Sequence, residues 1–190
     1  MTWPRFRLFV LIGLAGAWLC GFVLFAFADG HIEVSLPRKR TPTGQVENLA
    51  AWDLGPTVRA SSYFADWSGH HHPVFLLDGR AHPGVLEKWA SSVHDRHPWV
   101  ELLWREPHDL ERVVLRHAGS VESQALTVHR FMAFCLTQTG LGPSVQVEDN
   151  QDAVATHALV CAQARGVRVE FEPNDANDIV RVYELETWGR

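Results

Sequence analysis

The sequence lacks the short motifs that mark the commonest catalytic sites. Its 190 residues contain no Gly-x-Ser-x-Gly nucleophile elbow, no Gly-rich phosphate-binding loop and no His-Glu-x-x-His zinc motif. A Ser–His–Asp arrangement would have to be built from Ser61 or Ser62 with His94 and Asp95, and the two serines are better explained as the end of a predicted strand. We therefore predict that this protein is not an enzyme.

An excess of positive charge is also missing. The chain has 17 Lys and Arg against 22 Asp and Glu, a formal net charge of −5. Without Arg5 and Arg7, which precede a long apolar run, 15 basic residues face the same 22 acidic ones and the net charge is −7. Nucleic-acid binding requires a basic face, so we predict no nucleic-acid partner.

Cysteine is scarce, with three residues in the chain. Cys20 falls within the apolar run, which leaves Cys135 and Cys161 as an even pair. The pair is compatible with one disulfide in an oxidising compartment and equally with two buried free thiols. The sequence leaves both alternatives open.

One long hydrophobic run is present at the N-terminus. Residues 8–28 carry no charged side chain, and as a helix they would be about 30 Å long, enough to cross a bilayer. Residues 1–7 form a short flank whose Arg5 and Arg7 are typical of a signal anchor or a signal peptide. Ala26-Phe27-Ala28 has the form of a cleavage site, but the run exceeds the usual length of a signal peptide core, which favours a retained anchor. We predict one transmembrane helix that holds the rest of the chain in the periplasm or extracellular space.

The residues after the apolar run divide into two parts. Residues 29–54 contain Pro37, Pro42 and Gly44 without sustained periodicity, so we predict a tether. Residues 55–190 are long enough to bury a single core. Their hydrophobic residues alternate over short stretches, as in Val167, Val169 and Phe171, and turn residues separate the stretches. This pattern predicts an all-β sandwich or jelly roll.

An ordered set of short motifs runs through residues 55–190. The motifs are Ala60-Ser61-Ser62, Leu77-Asp78-Gly79, Trp89-Ala90-Ser91, Trp99-Val-Glu-Leu102, Leu110-Glu-Arg-Val-Val-Leu115, Gly166-Val-Arg-Val-Glu-Phe171 and Val182-Tyr-Glu-Leu185. In this order they resemble the discoidin, or coagulation factor 5/8 C-terminal-type, family of galactose-binding-like domains, which includes family 32 carbohydrate-binding modules. The resemblance implies a jelly-roll β-sandwich without catalysis that binds sugars, lipid headgroups or proteins through loops at one end.

The resemblance also implies a structural calcium ion. Asp78 and Glu184 would supply its carboxylates, and backbone carbonyls near Phe75 and Arg80 would complete the oxygen shell that calcium prefers. The chain departs from the family pattern at Pro83, where a hydroxyl residue usually stands. The alternative is that Asp78 caps a turn while Glu184 pairs with an arginine such as Arg181 or Arg168.

The most distinctive loop is Trp67-Ser-Gly-His70-His71-His72. An aromatic face beside imidazole groups suits a sugar, which stacks its C–H face on a ring and hydrogen-bonds through its hydroxyls. Two alternatives remain. The three histidines would bind a transition metal only with distortion, because adjacent residues do not easily converge on one ion. The loop would otherwise be a solvated one with Trp67 folded onto the core.

Three further residues are candidates for the same binding rim. His94 lies just before the strand that opens at Trp99, and Arg116 and His117 end a later strand. In sugar-binding members of the family that this chain resembles, an arginine near this strand end often contacts the ligand. The alternatives are a polar surface loop for His94 and a cross-strand ion pair for Arg116.

Together these features predict a membrane-anchored, non-catalytic binding module that recognises a carbohydrate through loops at one end of the jelly roll. The second hypothesis is a structural or interaction protein that docks on a partner protein of the cell envelope.

Overall fold

The chain folds into antiparallel β-strands arranged in two layers. The structure is a computed structural model that describes residues 24–28, 31–174 and 179–190. The strands in these residues are β1 (Leu24–Ala28), β2 (His31–Ser35), β3 (Glu47–Asn48), β4 (Thr57–Ala60), β5 (Trp89–Ala90), β6 (Trp99–His117), β7 (Arg130–Thr137), β8 (Gly140–Val147), β9 (Val154–Glu172) and β10 (Arg181–Gly189). Helical structure there is confined to short 3₁₀ turns, such as Pro73–Leu77. The prediction of an all-β fold is confirmed.

The first layer has the strand order β1-β2-β4-β6-β9-β7-β8. It uses the first part of β6, where residues 100–103 pair with β4, and the last part of β9, where residues 166–172 pair with β7. The second layer contains β10, which pairs with β3, β5 and residues 110–117 of β6. Register shifts between Leu103 and Arg112 mark the point at which β6 and β9 pass from one layer to the other.

Alternating side chains from the two layers fill the core. Val167, Val169 and Phe171 of β9 point inward and are buried, as their spacing predicts. Trp89 is fully buried, and its ring centroid lies 5.6 Å from that of Phe171 in the opposite layer. Its indole nitrogen donates a hydrogen bond of 2.9 Å to the carbonyl oxygen of Ser62. Trp89 therefore links both layers to the loop that follows β4.

A disulfide joins Cys135 of β7 to Cys161 in the second-layer part of β9. Both residues are buried. Of the two alternatives that the sequence left open, the structure has the disulfide.

Because β6 changes layers, its two ends lie at the same end of the sandwich. The Ser61 amide after β4 donates to the carbonyl oxygen of Trp99 at the start of β6, at 3.0 Å. His117 at the other end of β6 pairs with Val182, which also pairs with Trp89 of β5. The loops 61–88 and 91–98 therefore share this end, as a jelly-roll binding rim requires.

The segment predicted as a tether forms part of the body. Within residues 29–54, the described portion 31–54 contains β2, β3 and a 3₁₀ turn at Trp52–Leu54. Val34, Leu36 and Leu49 are almost completely buried. Here the structure corrects the prediction, because Ile32, Val34 and Leu36 alternate with polar residues and supply an additional strand with its inward face.

The predicted membrane-spanning helix is not confirmed. Its last five residues, Leu24–Ala28, form β1 and pair with β2 instead of continuing a helix. Residues 1–23 lie outside the described residues. In the part of the chain that the structure describes, no helix has the length and apolar character needed to cross a membrane.

Candidate functional site

Two loops form the candidate rim, residues 61–72 after β4 and residues 91–98 before β6. Asp95 ties them together, because its Oδ2 accepts hydrogen bonds from the hydroxyls of Ser61 and Ser62 at 2.5 and 2.6 Å. The amide of Ser92 donates back to Ser62 Oγ at 3.0 Å. The serines and Asp95 therefore brace the two loops against each other.

Trp67 stands at the tip of the first loop, and its surface is 100% exposed. Asp66 shapes the turn that carries it. Asp66 Oδ2 accepts from the Ser68 hydroxyl at 2.6 Å, and Oδ1 accepts from the Gly69 amide at 2.9 Å. Gly69 has a φ of 70°, a conformation that glycine adopts without steric cost. The alternative of Trp67 folded onto the core is wrong.

Two of the three adjacent histidines turn toward the body of the domain. The His71 ring meets Phe64 edge-on at 5.4 Å between centroids, and its Nδ1 lies 3.3 Å from Asp66 Oδ2. The His72 ring meets Tyr63 at 5.3 Å, and its Nδ1 accepts from the Val74 amide at 3.3 Å. Burial lowers the pKa of His71 and lowers that of His72 to about 4. Both imidazoles are therefore neutral at physiological pH.

His70, like His71 and His72, is half-buried, whereas His94 on the second loop is exposed. The carbonyl oxygen of His70 accepts from the Lys88 amide at 2.9 Å, which fixes the backbone beside Trp67. Over the described residues, no three His, Cys, Asp or Glu side chains come close enough together to hold a metal ion. His71 and His72 face different aromatic rings, which explains why the three histidines do not converge.

Arg116 and His117 are not part of an open rim. The Arg116 Nε donates to Glu186 Oε1 on β10 at 2.7 Å, which is the cross-strand ion pair considered as the alternative. His117 is fully buried, and its ring lies 5.7 Å from that of Phe131. The prediction that His117 contacts a ligand is corrected, because alternation along β6 turns its side chain into the core.

Asp78 and Glu184 are brought together, as the resemblance implied. Both carboxylates accept from the Arg80 amide, at 2.9 Å for Asp78 Oδ1 and 2.6 Å for Glu184 Oε1. Glu184 is buried, with 4% of its surface exposed. Burial raises the pKa of Glu184 well above its usual range, and the hydrogen bond and charge of Asp78 add to the effect. Burial also raises the pKa of Asp78.

The chemistry of this pair fits a calcium ion. Arg168 instead pairs with Glu101 and Glu170, so it does not neutralise Glu184. Glu184 is buried and Asp78 is half-buried, and the charge of Arg80 favours the ionised form of Asp78 only, so the pair is costly unless it shares a proton or a cation. Their oxygens are the hard ligands that calcium takes, and Asp78 and Glu184 would hold the ion and fix residues 78–80 on β10.

A groove on the outer face of the first layer is not predictable from the sequence pattern. It has a volume of about 470 Å³ and is bordered by β6, β9, β7 and β8, with His97 of the second rim loop at one end. Most of its residues are outward members of the alternating strands, and the edges of the core residues Phe131 and Phe171 also border it. Alternation predicts that such residues face solvent, but it does not predict which four strands lie side by side.

Comparisons with known proteins identify the fold. No family model and no curated protein matches this chain. Among solved structures, it is similar to the family 32 carbohydrate-binding module of Streptococcus pneumoniae EndoD, with a TM-score of 0.59, 20% identity, and coverage of 76% of this chain and 100% of that one.

Two further similar structures have names that state a ligand. One is a fucose-binding module of Streptococcus pneumoniae, with a TM-score of 0.60, 16% identity, and coverage of 80% of this chain and 100% of that one. The other is the lectin-binding domain of Lectinolysin complexed with Lewis b, with a TM-score of 0.60, 17% identity, and coverage of 76% and 96%. The similarity confirms the galactose-binding-like, discoidin-type fold that the motifs predicted.

Proposed function

We propose that this protein is a non-catalytic carbohydrate-binding module that recognises a glycan through the rim loops 61–72 and 91–98. The observation that carries the proposal is Trp67, a completely exposed aromatic ring on a braced loop. The Trp67 side chain exposes its apolar surface to water and makes no packing contact with the domain. A role in contacting a ligand explains this exposure best. The fold, shared with modules named for sugar binding, supports the same ligand class.

The geometry around Trp67 suits a sugar ring. The indole face offers an apolar platform, and His70 stands three residues further along the same loop with two ring nitrogens that can hydrogen-bond to sugar hydroxyls. The Asp66 turn and the Asp95 tie hold the loop in place before a ligand arrives. Such preorganisation lowers the entropy lost on binding.

We propose that this module lies outside the cytoplasm, anchored by the part of the apolar run that precedes β1. The buried disulfide between Cys135 and Cys161 supports an oxidising compartment, where such bonds persist. The proposal includes a calcium ion bound by Asp78 and Glu184, which would stabilise the attachment of residues 78–80 to β10.

A glycan array probed with the full-length chain tests the sugar site. The chain is kept in a non-glycosidic detergent so that the N-terminal run does not interfere and the detergent offers no sugar. Trp67→Ala is expected to weaken binding of the best glycan at least tenfold without changing the melting temperature, because the side chain makes no core contact.

Val160→Ala is the matched control, since Val160 is an exposed apolar residue of β9 and is not part of the rim. It should leave the affinity unchanged. Uniform absence of binding, with and without calcium, would overturn the sugar hypothesis. Undiminished binding by Trp67→Ala would move the site away from these loops.

A partner protein is the second candidate ligand for the same loop. Trp67 is fully exposed, and tryptophan is among the side chains most enriched at the energetic centre of protein interfaces. Crosslinking in intact membranes that recovers one partner protein in fixed stoichiometry, and loses it in Trp67→Ala, would favour an interaction protein over a glycan-binding module.

A further inference from the structure

The groove on the outer face of the first layer is formed by a row of side chains on four neighbouring strands. Trp99 of β6 pairs with Glu170 of β9, Glu170 with Met132 of β7, and Met132 with Gln146 of β8. Four adjacent strands span about 14 Å between the first and the last. The groove is therefore long, open and continuous with the second rim loop through His97.

Four of the five Arg and Glu side chains that line the groove form ion pairs with one another, and Glu148 is the fifth. Arg168 donates to Glu170 at 2.7 Å and to Glu101 at 2.8 Å. Arg130 makes two hydrogen bonds to Glu172, at 2.6 and 2.8 Å. Two arginines and three glutamates leave the groove slightly negative, so it does not attract an anionic ligand. The paired groups still present free N–H donors and carboxylate lone pairs, which suit hydroxyl groups.

Apolar surface lies among these polar groups. The Trp99 ring is half-buried, with the Arg168 guanidinium 4.1 Å from its centroid, and Met132 is half-buried beside it. The guanidinium on the ring holds both side chains in position. Alternating apolar and hydrogen-bonding patches match a saccharide, whose C–H faces and hydroxyls also alternate.

An extended peptide fits the groove less well. The backbone groups of β9 are already paired with β6 on one side and β7 on the other, so a peptide laid over these strands finds no free main-chain partner. The slightly negative groove also gives an acidic peptide no electrostatic attraction. The observations therefore favour a polyhydroxylated ligand.

We propose that this groove is a second saccharide site, which binds the interior of an uncharged oligosaccharide chain. The proposal shares its ligand class with the proposed function and rests on it in that respect, but it uses different residues. The rim would contact a terminal or branching sugar through Trp67, and the groove would contact the chain through Trp99, Met132, Glu170 and Gln146.

The test is calorimetric titration of the full-length chain with linear hexasaccharides. The probes are uncharged chains of glucose, mannose, xylose and N-acetylglucosamine, with an oligouronide of equal length as the charged comparison. Gln146→Trp fills the groove from an exposed position without removing a core contact. We expect it to weaken binding of the best uncharged chain at least tenfold, while the oligouronide binds no more tightly than that chain.

Gln138→Trp is the matched control, because Gln138 is equally exposed but lies in the turn between β7 and β8, outside the groove. It should change the affinity less than twofold. Melting temperatures establish that each variant is folded.

Three results would overturn the groove site. Full affinity in Gln146→Trp together with loss in Trp67→Ala would leave the proposed rim function intact and remove the groove. Tighter binding of the oligouronide would contradict an uncharged ligand. Absence of binding to every hexasaccharide would also remove the groove, while rim binding of terminal sugars is decided separately on the array.

Discussion

His117 is a buried histidine without a hydrogen-bond partner. Its side chain is inaccessible to solvent, and among the described residues neither ring nitrogen finds a donor or an acceptor. Burial, reinforced by the nearby His157, lowers its pKa to about 4. The ring must therefore stay neutral for the folded state to persist.

This burial predicts acid sensitivity. As the pH falls below about 6.5, the unfolded chain binds a proton at this residue and the folded chain does not, so stability falls until the pH reaches the folded-state pKa of about 4. His117→Leu removes this effect. At pH 5 the wild-type chain should lose about 2 kcal/mol of unfolding free energy relative to the variant, compared with their difference at pH 8. Urea titrations at the two pH values measure this change.

His94→Leu serves as the control for the acid experiment, since His94 is exposed on the second rim loop. It should leave the pH dependence of the wild-type chain unchanged. A His117→Leu chain that loses as much stability between pH 8 and pH 5 as the wild type would show that the ring is not the acid-sensitive group.

Single residues show where sequence patterns stop being informative. Trp67 and His117 both lie near turn signals, and one is completely exposed while the other is completely buried. The alternation of β6 could have placed His117 inward, because Leu115 and Val113 share its face. No local pattern predicts the exposure of Trp67, which follows from the Asp66 turn and the long-range Asp95 tie.

The crossing of β6 and β9 depends on the absence of a side chain at Gly166. A Cβ at this position would lie 2.1 Å from the carbonyl oxygen of Leu102 on β6. A backbone atom cannot give way as a flexible side chain can. We expect Gly166→Ala to destabilise the fold by about 3 kcal/mol, in the range of other core overpacking changes. Thermal and urea unfolding measure the loss.

Gly44→Ala separates steric overlap from backbone strain. Gly44 has a φ of 76° and no atom within 4 Å of an added Cβ, so only strain of about 1 kcal/mol is expected. An equal loss of stability in both variants would contradict a close approach at Gly166.

The segment from Asp78 to Arg80 is held on β10 by the carboxylate pair, and calcium should strengthen that attachment. Added calcium at 100 times its Kd would stabilise the folded chain by about 2.7 kcal/mol. Glu184→Gln removes one calcium-binding carboxylate, and with it the cost of keeping that buried group protonated in the absence of metal. This variant should be at least as stable as the metal-free wild type and should show no calcium-dependent rise in melting temperature.

Magnesium at the same concentration is the matched comparison, because it requires a smaller octahedral site and releases its water reluctantly. Asp78→Asn should abolish the calcium response as Glu184→Gln does. If calcium leaves the melting temperature of the wild-type chain unchanged, Asp78 and Glu184 bind no calcium and share a proton instead.

Long strands with alternating hydrophobic residues were predictable from the sequence, whereas a short alternating strand next to a proline was not. Val167, Val169 and Phe171 marked β9 directly, and the ordered motifs marked the jelly roll. β2 was not predicted although Ile32 and Val34 alternate with polar residues, because the strand has only five residues and lies next to a segment that contains Pro37, Pro42 and Gly44. The groove was unpredictable for another reason, since Trp99, Met132 and Gln146 meet only through the strand order.

At the scale of the whole molecule, the disulfide fastens the two layers to each other. It joins β7 to β9 over a sequence separation of 26 residues. In the chain-entropy description, closing a loop of this size contributes about 3.5 kcal/mol. The double variant Cys135→Ala/Cys161→Ala should lose an unfolding free energy of this order. A double variant as stable as the oxidised chain would show that packing alone secures the layers.

The redox state of this disulfide in the cell indicates the compartment in which the native protein lies. If the module lies outside the cytoplasm, Cys135 and Cys161 should be oxidised in the cell, because cytoplasmic thiols are kept reduced. Acid-quenched cells treated with an alkylating mass tag under denaturing conditions should then show at most one tagged cysteine, which is Cys20. Reduction before tagging should add two more.

One tag before reduction indicates that the apolar run is retained, and none indicates that it has been cleaved. Tagging of Cys135 and Cys161 without reduction would place the domain in a reducing compartment and contradict both the anchor topology and the envelope location.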